Sequence, residues 1–284
     1  MADLVAVLAT THNPFYLRAT TGDERHPQAD AWIGKVETHR MTLEAAAPDV
    51  LVIVGSDHVH GLFPDNMPAF LVGKAPFFDA TFSDEEGQFG LPRMLLRGDA
   101  DLADWVLRFG LERGVDFAFS NELRLDHSIV CPILALRPQA DLPVVPVLAN
   151  VFCPPMPPPH RFHEVGRLLG EAIRAYPSSA RVAAVGTGHL SLELGGPRQF
   201  GEHPADPAFD QRALRWIRES AVDEILVHVT LESLDRAGNA TRGFLTFLTM
   251  LGMTKSRRAD HADHLDLVHT TEVFFTWYPR EGQA

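Results

Sequence analysis

The 284-residue sequence predicts an α/β fold: a single domain in which a central mixed sheet is flanked by helices. Three observations predict it. Short runs dense in β-branched residues recur along the chain, longer segments between them carry helical spacing, and a composition that is 45% hydrophobic suffices for a large core. The clearest run is Leu51-Val52-Ile53-Val54, which reads as a fully buried strand, and Gly55-Ser56 marks its exit from the sheet. Asp57 and His58 then lie at a strand's C-terminal end, the edge where open α/β sheets bind ligands.

The remaining elements follow in order. Leu4 to Ala9 is the first buried strand, and Thr10-Thr11-His12-Asn13-Pro14 is a loop because Asn-Pro breaks either period. Pro27 to Ala47 is a helix, with Trp32, Val36, Met41 and Leu43 as core contacts. A strand-helix-strand crossover makes its two strands parallel, so His12 and His58 leave the sheet on one edge. Asp65-Asn66-Met67-Pro68 is a turn, Ala69–Val72 a short strand, and Phe77 to Arg93 an irregular excursion. Asp101 to Arg113 is an amphipathic helix and Val115–Phe119 a further strand. Leu125-Asp126-His127 then repeats the Asp-His pair.

Val144–Ala149 is a strand, and the proline run Cys153 to Pro159 is a rigid wall beside a site. His160 to Tyr176 is a helix and Arg181–Val185 a strand, with Gly186-Thr187-Gly188-His189 at its exit. Asp206–Arg218 is a helix. Val222 to Met253 is helical in period, interrupted at Ala237-Gly238-Asn239, and Val268–Trp277 closes the chain as an edge strand. Trp32, Trp105, Phe77, Phe78 and Cys131 read as core, whereas Lys255 to Arg258 and His261, His264 and His269 read as exposed.

Charge and cysteine content narrow the function. A net charge of −12 excludes nucleic acid and anionic membranes as expected partners, because both require basic patches. With two cysteines, no signal peptide and no long apolar span, the expectation is a cytoplasmic protein without a disulfide framework. Its 14 histidines direct attention to metal or proton-transfer chemistry.

Several of these stretches together resemble one family, the class III extradiol ring-cleavage dioxygenases of the protocatechuate 4,5-dioxygenase β-subunit type. The matching pieces are Thr11-His12-Asn13-Pro14, Ser56-Asp57-His58 with Asp65 to Phe70, Leu125-Asp126-His127, Asn150 with the proline run, Gly186-Thr187-Gly188 to Gly196-Pro197-Arg198, and Ala237-Gly238-Asn239. They stand in the family's order over nearly the whole chain. The resemblance implies one extradiol-dioxygenase-like catalytic domain over residues 1–284 and a non-haem Fe(II) site held by two histidines and a glutamate. It implies a small aromatic substrate, a catechol or another phenolic or aminophenolic ring, together with O2. It also implies a homo-oligomer, or a hetero-oligomer with a related subunit.

By position His12 and His58 match the metal ligands, with Asp57 as a partner that sets an imidazole tautomer. His127 matches a histidine that orients substrate or moves a proton. Two positions depart from the pattern. Gly243 stands where the family has its glutamate ligand, and Leu192 where it has a catalytic histidine. His189 is a substitute acid/base group, Glu193 or Glu232 a compensating carboxylate, and His60 a spare imidazole near His58. Three readings follow: a dioxygenase with a rebuilt site holding Fe(II) or another divalent metal, a degenerate structural subunit paired with an active paralogue, or a metal-dependent hydrolase or lyase on the same scaffold.

Overall fold

The computed structural model describes residues 1–21, 25–199, 201 and 203–278. Strand β1 (Asp3–Thr11) leads through helices α1 (Tyr16–Thr20) and α2 (Ala29–Ala46) to β2 (Val50–Gly55). Next come β3 (Phe70–Gly73), β4 (Phe77–Ala80), α3 (Ser83–Phe89), β5 (Met94–Arg97), α4 (Ala100–Leu111), β6 (Ala118–Ser120), α5 (His127–Leu136) and β7 (Val144–Ala149). The chain continues through α6 (Pro159–Ala175), β8 (Arg181–Gly188), α7 (Pro207–Glu219), α8 (Val222–His228), α9 (Leu231–Ala237), a 3-10 turn (Thr241–Phe244), α10 (Leu245–Met253), β9 (His261–Asp266) and β10 (Thr271–Trp277).

Eight strands form one mixed sheet in the order β6-β3-β7-β2-β8-β1-β10-β9, and β4 and β5 pair as a separate hairpin. The four central strands β7, β2, β8 and β1 are mutually parallel, while β3 and β10 run antiparallel to the strands they flank. The expected mixed sheet is therefore present, and both of its faces are covered. Leu4, Val7, Val52, Val54, Val145, Val147, Val182 and Ala184 pack with α4, α6 and α10. Ala6, Leu8, Leu51, Ile53, Leu148, Ala183 and Val185 pack on the other face, towards α5 and the hairpin. A strand's side chains alternate between faces, so two buried faces turn each central strand into a continuous apolar run. No helix among the described residues is long and apolar enough to cross a membrane.

Three expectations need correction. The closing strand β10 is internal, between β1 and β9, and the edge belongs to β9. That edge strand, His-Ala-Asp-His-Leu-Asp, is mostly polar and so reads as a loop in sequence. The stretch Phe77 to Arg93 is not irregular, since it holds β4 and α3. Met41 and Phe77 are not core residues: they are 60% and 56% exposed.

Candidate metal centre

The register of the central strands assembles the site. Thr11 of β1 pairs with Gly188 of β8, so the residues that follow, His12 and His189, emerge side by side. Val54 of β2 pairs with Gly186 of β8, which brings the chain carrying His58 out along the same edge. The fourth imidazole arrives on a helix. Asp126 caps α5 by accepting from Ser128 N–H at 2.9 Å, and His127 is the first helical residue. Ser128 Oγ donates to Ser56 O at 2.6 Å and Thr187 Oγ1 donates to Ser128 O at 2.9 Å, which pins the start of α5 to the ends of β2 and β8.

The four rings converge on His12. Its ring centroid lies 4.2 Å from that of His189, 5.1 Å from His58 and 5.6 Å from His127. His12 Nε2 and His189 Nε2 are 2.9 Å apart. One nitrogen from each of His12, His58 and His127 can be chosen so that all three lie within 4.8 Å of one another.

His58 and His127 are each anchored from behind by a carboxylate. Asp126 Oδ2 accepts from both the backbone N–H and Nδ1 of His58 at 2.8 Å. Glu85 Oε1 does the same for His127, at 2.7 Å from each. A proton on Nδ1 leaves the Nε2 lone pair free, which is how metal-binding histidines are prepared. Burial pushes the Asp126 carboxyl up, but His58, through charge and hydrogen bond, and His60 beyond it pull it well below its usual value. Asp57 does not fill the expected orienting role, because its carboxylate accepts from the backbone of Gly61 at 2.9 Å and Leu62 at 3.1 Å.

Burial holds the rings of His12, His58 and His189 towards the uncharged form. Burial lowers His12 well below the ordinary imidazole value, with His189, His58 and His127 adding to the effect. Burial, then His127, lowers His58 against the pull of Asp126. Burial also takes His189 down to about 3, helped by His58 and His127. His12 Nδ1 and His189 Nδ1 are buried without a hydrogen-bond partner. Two neutral imidazoles meeting nitrogen to nitrogen share either one proton or one cation. His60 differs. It is raised to about 9, chiefly by the Asp126 carboxylate 3.8 Å away and against the effect of burial, while its Nε2 lies 2.8 Å from Asp84. A group held as a cation is a poor ligand.

Neither compensating glutamate joins the cluster. Glu193 is paired with Arg198, and Glu232, with its side chain 83% exposed, is paired with Arg236 at 2.6 Å. Among the described residues, the groupings able to hold a metal are His12 with His58 and His127, and His60 with Glu85, Asp126 and His127. Sequence reasoning missed Glu85 and the role of Asp126. The acidic run Ser83-Asp84-Glu85-Glu86 was a helix-start signal, as was Asp126 ahead of an apolar stretch.

His12 is fully buried and His189 nearly so, whereas the side chains of His58 and His127 are 16% and 10% exposed. Phenylalanine rings border the cluster. Phe152, just before the proline run, is 5.2 Å from His58, Phe89 is 5.7 Å from His127, and Phe15 packs edge-on against Phe89 at 5.0 Å.

Comparison with known proteins gives a family match and a fold match. The model of a family described as the catalytic LigB subunit of aromatic ring-opening dioxygenase matches residues 6–276. A 2,3-dihydroxyphenylpropionate/2,3-dihydroxicinnamic acid 1,2-dioxygenase of Azotobacter vinelandii is 30% identical over 184 residues, 64% of this chain and 55% of that protein. One of the same name from Rhodococcus is 32% identical over 205 residues, 71% of this chain and 60% of that protein. The chain thus spans little more than half the length of these relatives. A crystal structure of the uncharacterized protein JW3007 from Escherichia coli K12 superposes with a TM-score of 0.57 at 15% identity, covering 96% of this chain and 99% of that one, a likeness of fold.

Proposed function

We propose, from the premise that this chain belongs to the family of the catalytic LigB subunit of aromatic ring-opening dioxygenases, that it is a metal-dependent enzyme that opens a catechol-type ring with O2. One observation carries the proposal. His58 and His127 are each held through Nδ1 by a buried carboxylate, and their remaining nitrogens share a pocket with His12. A carboxylate behind Nδ1 fixes the tautomer that leaves Nε2 free to meet a cation or a proton. His12 and His58 would hold a divalent cation, Fe(II) by family resemblance. The cation supplies Lewis acidity and a path for electrons between ring and O2.

The chain's own residues perform the rest. The neutral state of His12 and His58 leaves lone pairs for a cation at physiological pH. His127 Nε2, on the ring edge opposite its Glu85 contact, accepts the proton of a substrate hydroxyl, with Glu85 fixing the tautomer. Phe89 and Phe152 hold the ring and keep bulk water away. Both atoms of O2 enter the product while one carbon–carbon bond beside the diol breaks. The substrates named for the relatives, 2,3-dihydroxyphenylpropionate and 2,3-dihydroxicinnamic acid, carry such adjacent hydroxyls and support a substituted catechol as the substrate class.

The test is anaerobic purification, metal analysis and O2 uptake over a panel of substituted catechols. His127→Ala should reduce kcat by about 10² to 10⁴ while the metal stays bound. An iron-loaded protein that consumes no O2 with any ring refutes the proposal, and turnover without O2 transfers the scaffold to hydrolysis or lyase chemistry. Gly243 and Leu192 favour a second reading, a structural subunit that pairs with an active paralogue. Its mark is a metal-free protein that co-purifies with that partner.

A further inference from the structure

The resemblance calls for a carboxylate at position 243, where this chain has glycine. His189 nonetheless lies beside that position. A Cβ built on Gly243 would lie 3.1 Å from His189 N, 3.4 Å from His189 Cδ2 and 3.6 Å from His189 Cβ. The His189 ring thus packs in the volume next to the start of any side chain at 243. The backbone keeps it there, because Gly188 fits under Gly243 only for lack of a side chain: a Cβ on Gly188 would fall 2.2 Å from Gly243 O.

From that volume His189 Nε2 reaches to 2.9 Å from His12 Nε2. Two nitrogens bound to one cation at about 2.0–2.1 Å, and about 90° apart, are separated by about 2.9 Å. The spacing matches a pair of adjacent ligands. His127, the other candidate, is placed differently. Its ring stacks on that of His58 at 4.0 Å with 25° between the planes, and its Nδ1 is held by Glu85 at 2.7 Å. Glu193 and Glu232 are engaged by arginines.

Resting on the reading of the preceding subsection, we propose that His189 replaces the missing carboxylate, so that the cation is held by the three imidazoles of His12, His58 and His189. His127 is left to the substrate. His189 is then a ligand and not a substitute proton carrier, and residues 189 and 243 form one exchangeable unit in which a side chain at either serves. His58 closes on the His12–His189 pair when the cation binds, since those three do not form a preassembled group within 4.8 Å.

The experiment titrates the purified full chain with Co(II) under anaerobic conditions, reading metal per chain by elemental analysis and ligand number from the visible absorption of bound cobalt. The unaltered chain should bind one ion. His189→Ala should weaken binding by more than about 100-fold, beyond what losing a supporting partner of a ligand costs. Should the alanine variant unfold, His189→Gln preserves most of the volume and reports the same loss. His127→Ala should keep the affinity and cobalt spectrum of the unaltered chain. The double variant His189→Ala with Gly243→Glu should regain the ion, because the carboxylate enters the vacated volume.

Unchanged affinity and spectrum in both His189 variants, loss of the ion in His127→Ala, or a double variant no better than the single one overturns the assignment. A chain that binds no metal before any substitution refutes the metal-dependent function itself, so the two failures are distinct.

Discussion

Asp126 supports the site and the fold together, and removing its carboxylate should damage both by calculable amounts. Its side chain is 1% exposed, and its two oxygens accept from His58 N–H and Nδ1 at 2.8 Å and from Ser128 N–H at 2.9 Å. Ser128 Oγ is 2.7 Å away but has a single proton, which Ser56 O also claims at 2.6 Å, so three donors depend on the carboxylate without an alternative. In Asp126→Ala, losing the cap of α5 costs about 1 kcal/mol. Each buried His58 donor left unsatisfied adds about 1–3 kcal/mol. Water entering the cavity offsets part of this, giving an expected loss of about 3–5 kcal/mol. Asp126→Asn can turn its oxygen towards His58 and lose only the cap, and should cost about 1–2 kcal/mol. Asp126→Ala releases the His58 tautomer, and its metal affinity should fall about 10- to 100-fold, whereas the asparagine oxygen still accepts from Nδ1. Urea unfolding of the metal-free protein at pH 7.5 and anaerobic Fe(II) titration measure the two effects. An Asp126→Ala protein within about 1 kcal/mol of the unaltered stability, with unchanged affinity, would refute the coupling of cap and site.

Two further predictions concern the scaffold. Glu272 on β10 is 2% exposed, and burial raises its carboxyl to about 7 against the hydrogen bond from Asn13 Nδ2 at 2.9 Å. Because the folded value exceeds the unfolded one, stability is greatest below about pH 4 and declines as pH rises towards 7; Glu272→Gln should therefore be more stable by about 3 kcal/mol at pH 8 and little changed at pH 4.5. Equal melting shifts at both pH values would contradict this. Helices α6 and α10 touch backbone to backbone at Gly166, where a Cβ would fall 1.9 Å from Thr249 O. Gly166→Ala should cost about 3 kcal/mol or more through overpacking, and an unchanged melting temperature would show that the helices can separate without penalty.

Some of this was readable in the chain and some was not, for physical reasons. The central strands announce themselves because burial on both faces requires uninterrupted apolar runs, so the exits bearing His12, His58 and His189 could be located from Leu4–Ala9, Leu51–Val54 and Arg181–Val185. Strand β9 gave no such sign, since four of the six residues of this half-exposed edge strand, His261, Asp263, His264 and Asp266, are polar. The partners of the imidazoles were hidden for a different reason. Glu85 meets His127 across 42 positions, and His12 meets His189 across 177, through sheet register that no local pattern encodes. Asp57 looked like the partner of His58 because it is adjacent, yet successive residues leaving a strand point to opposite sides, and the partner comes from Asp126 on another element.

The position of negative charge follows from the same geometry. With Gly243 in place of glutamate, the nearest carboxylates, Asp126 and Glu85, sit behind His58 and His127 and touch the pocket only through them. A divalent cation held by three neutral imidazoles keeps both its charges, where a carboxylate ligand would cancel one. Two consequences follow. Sites built from imidazole suit iron, zinc, copper and nickel, while manganese and magnesium favour carboxylate oxygen, so this chain should discriminate against manganese more sharply than its His189→Ala, Gly243→Glu variant. The uncancelled charge would also favour a substrate that carries negative charge, as an adjacent diol does once it has given a proton to His127. The missing glutamate thus moves the work of neutralisation from the protein to the ring, and restoring a carboxylate at 243 in the His189→Ala background should weaken binding of a diol relative to the unaltered protein even as it restores the metal.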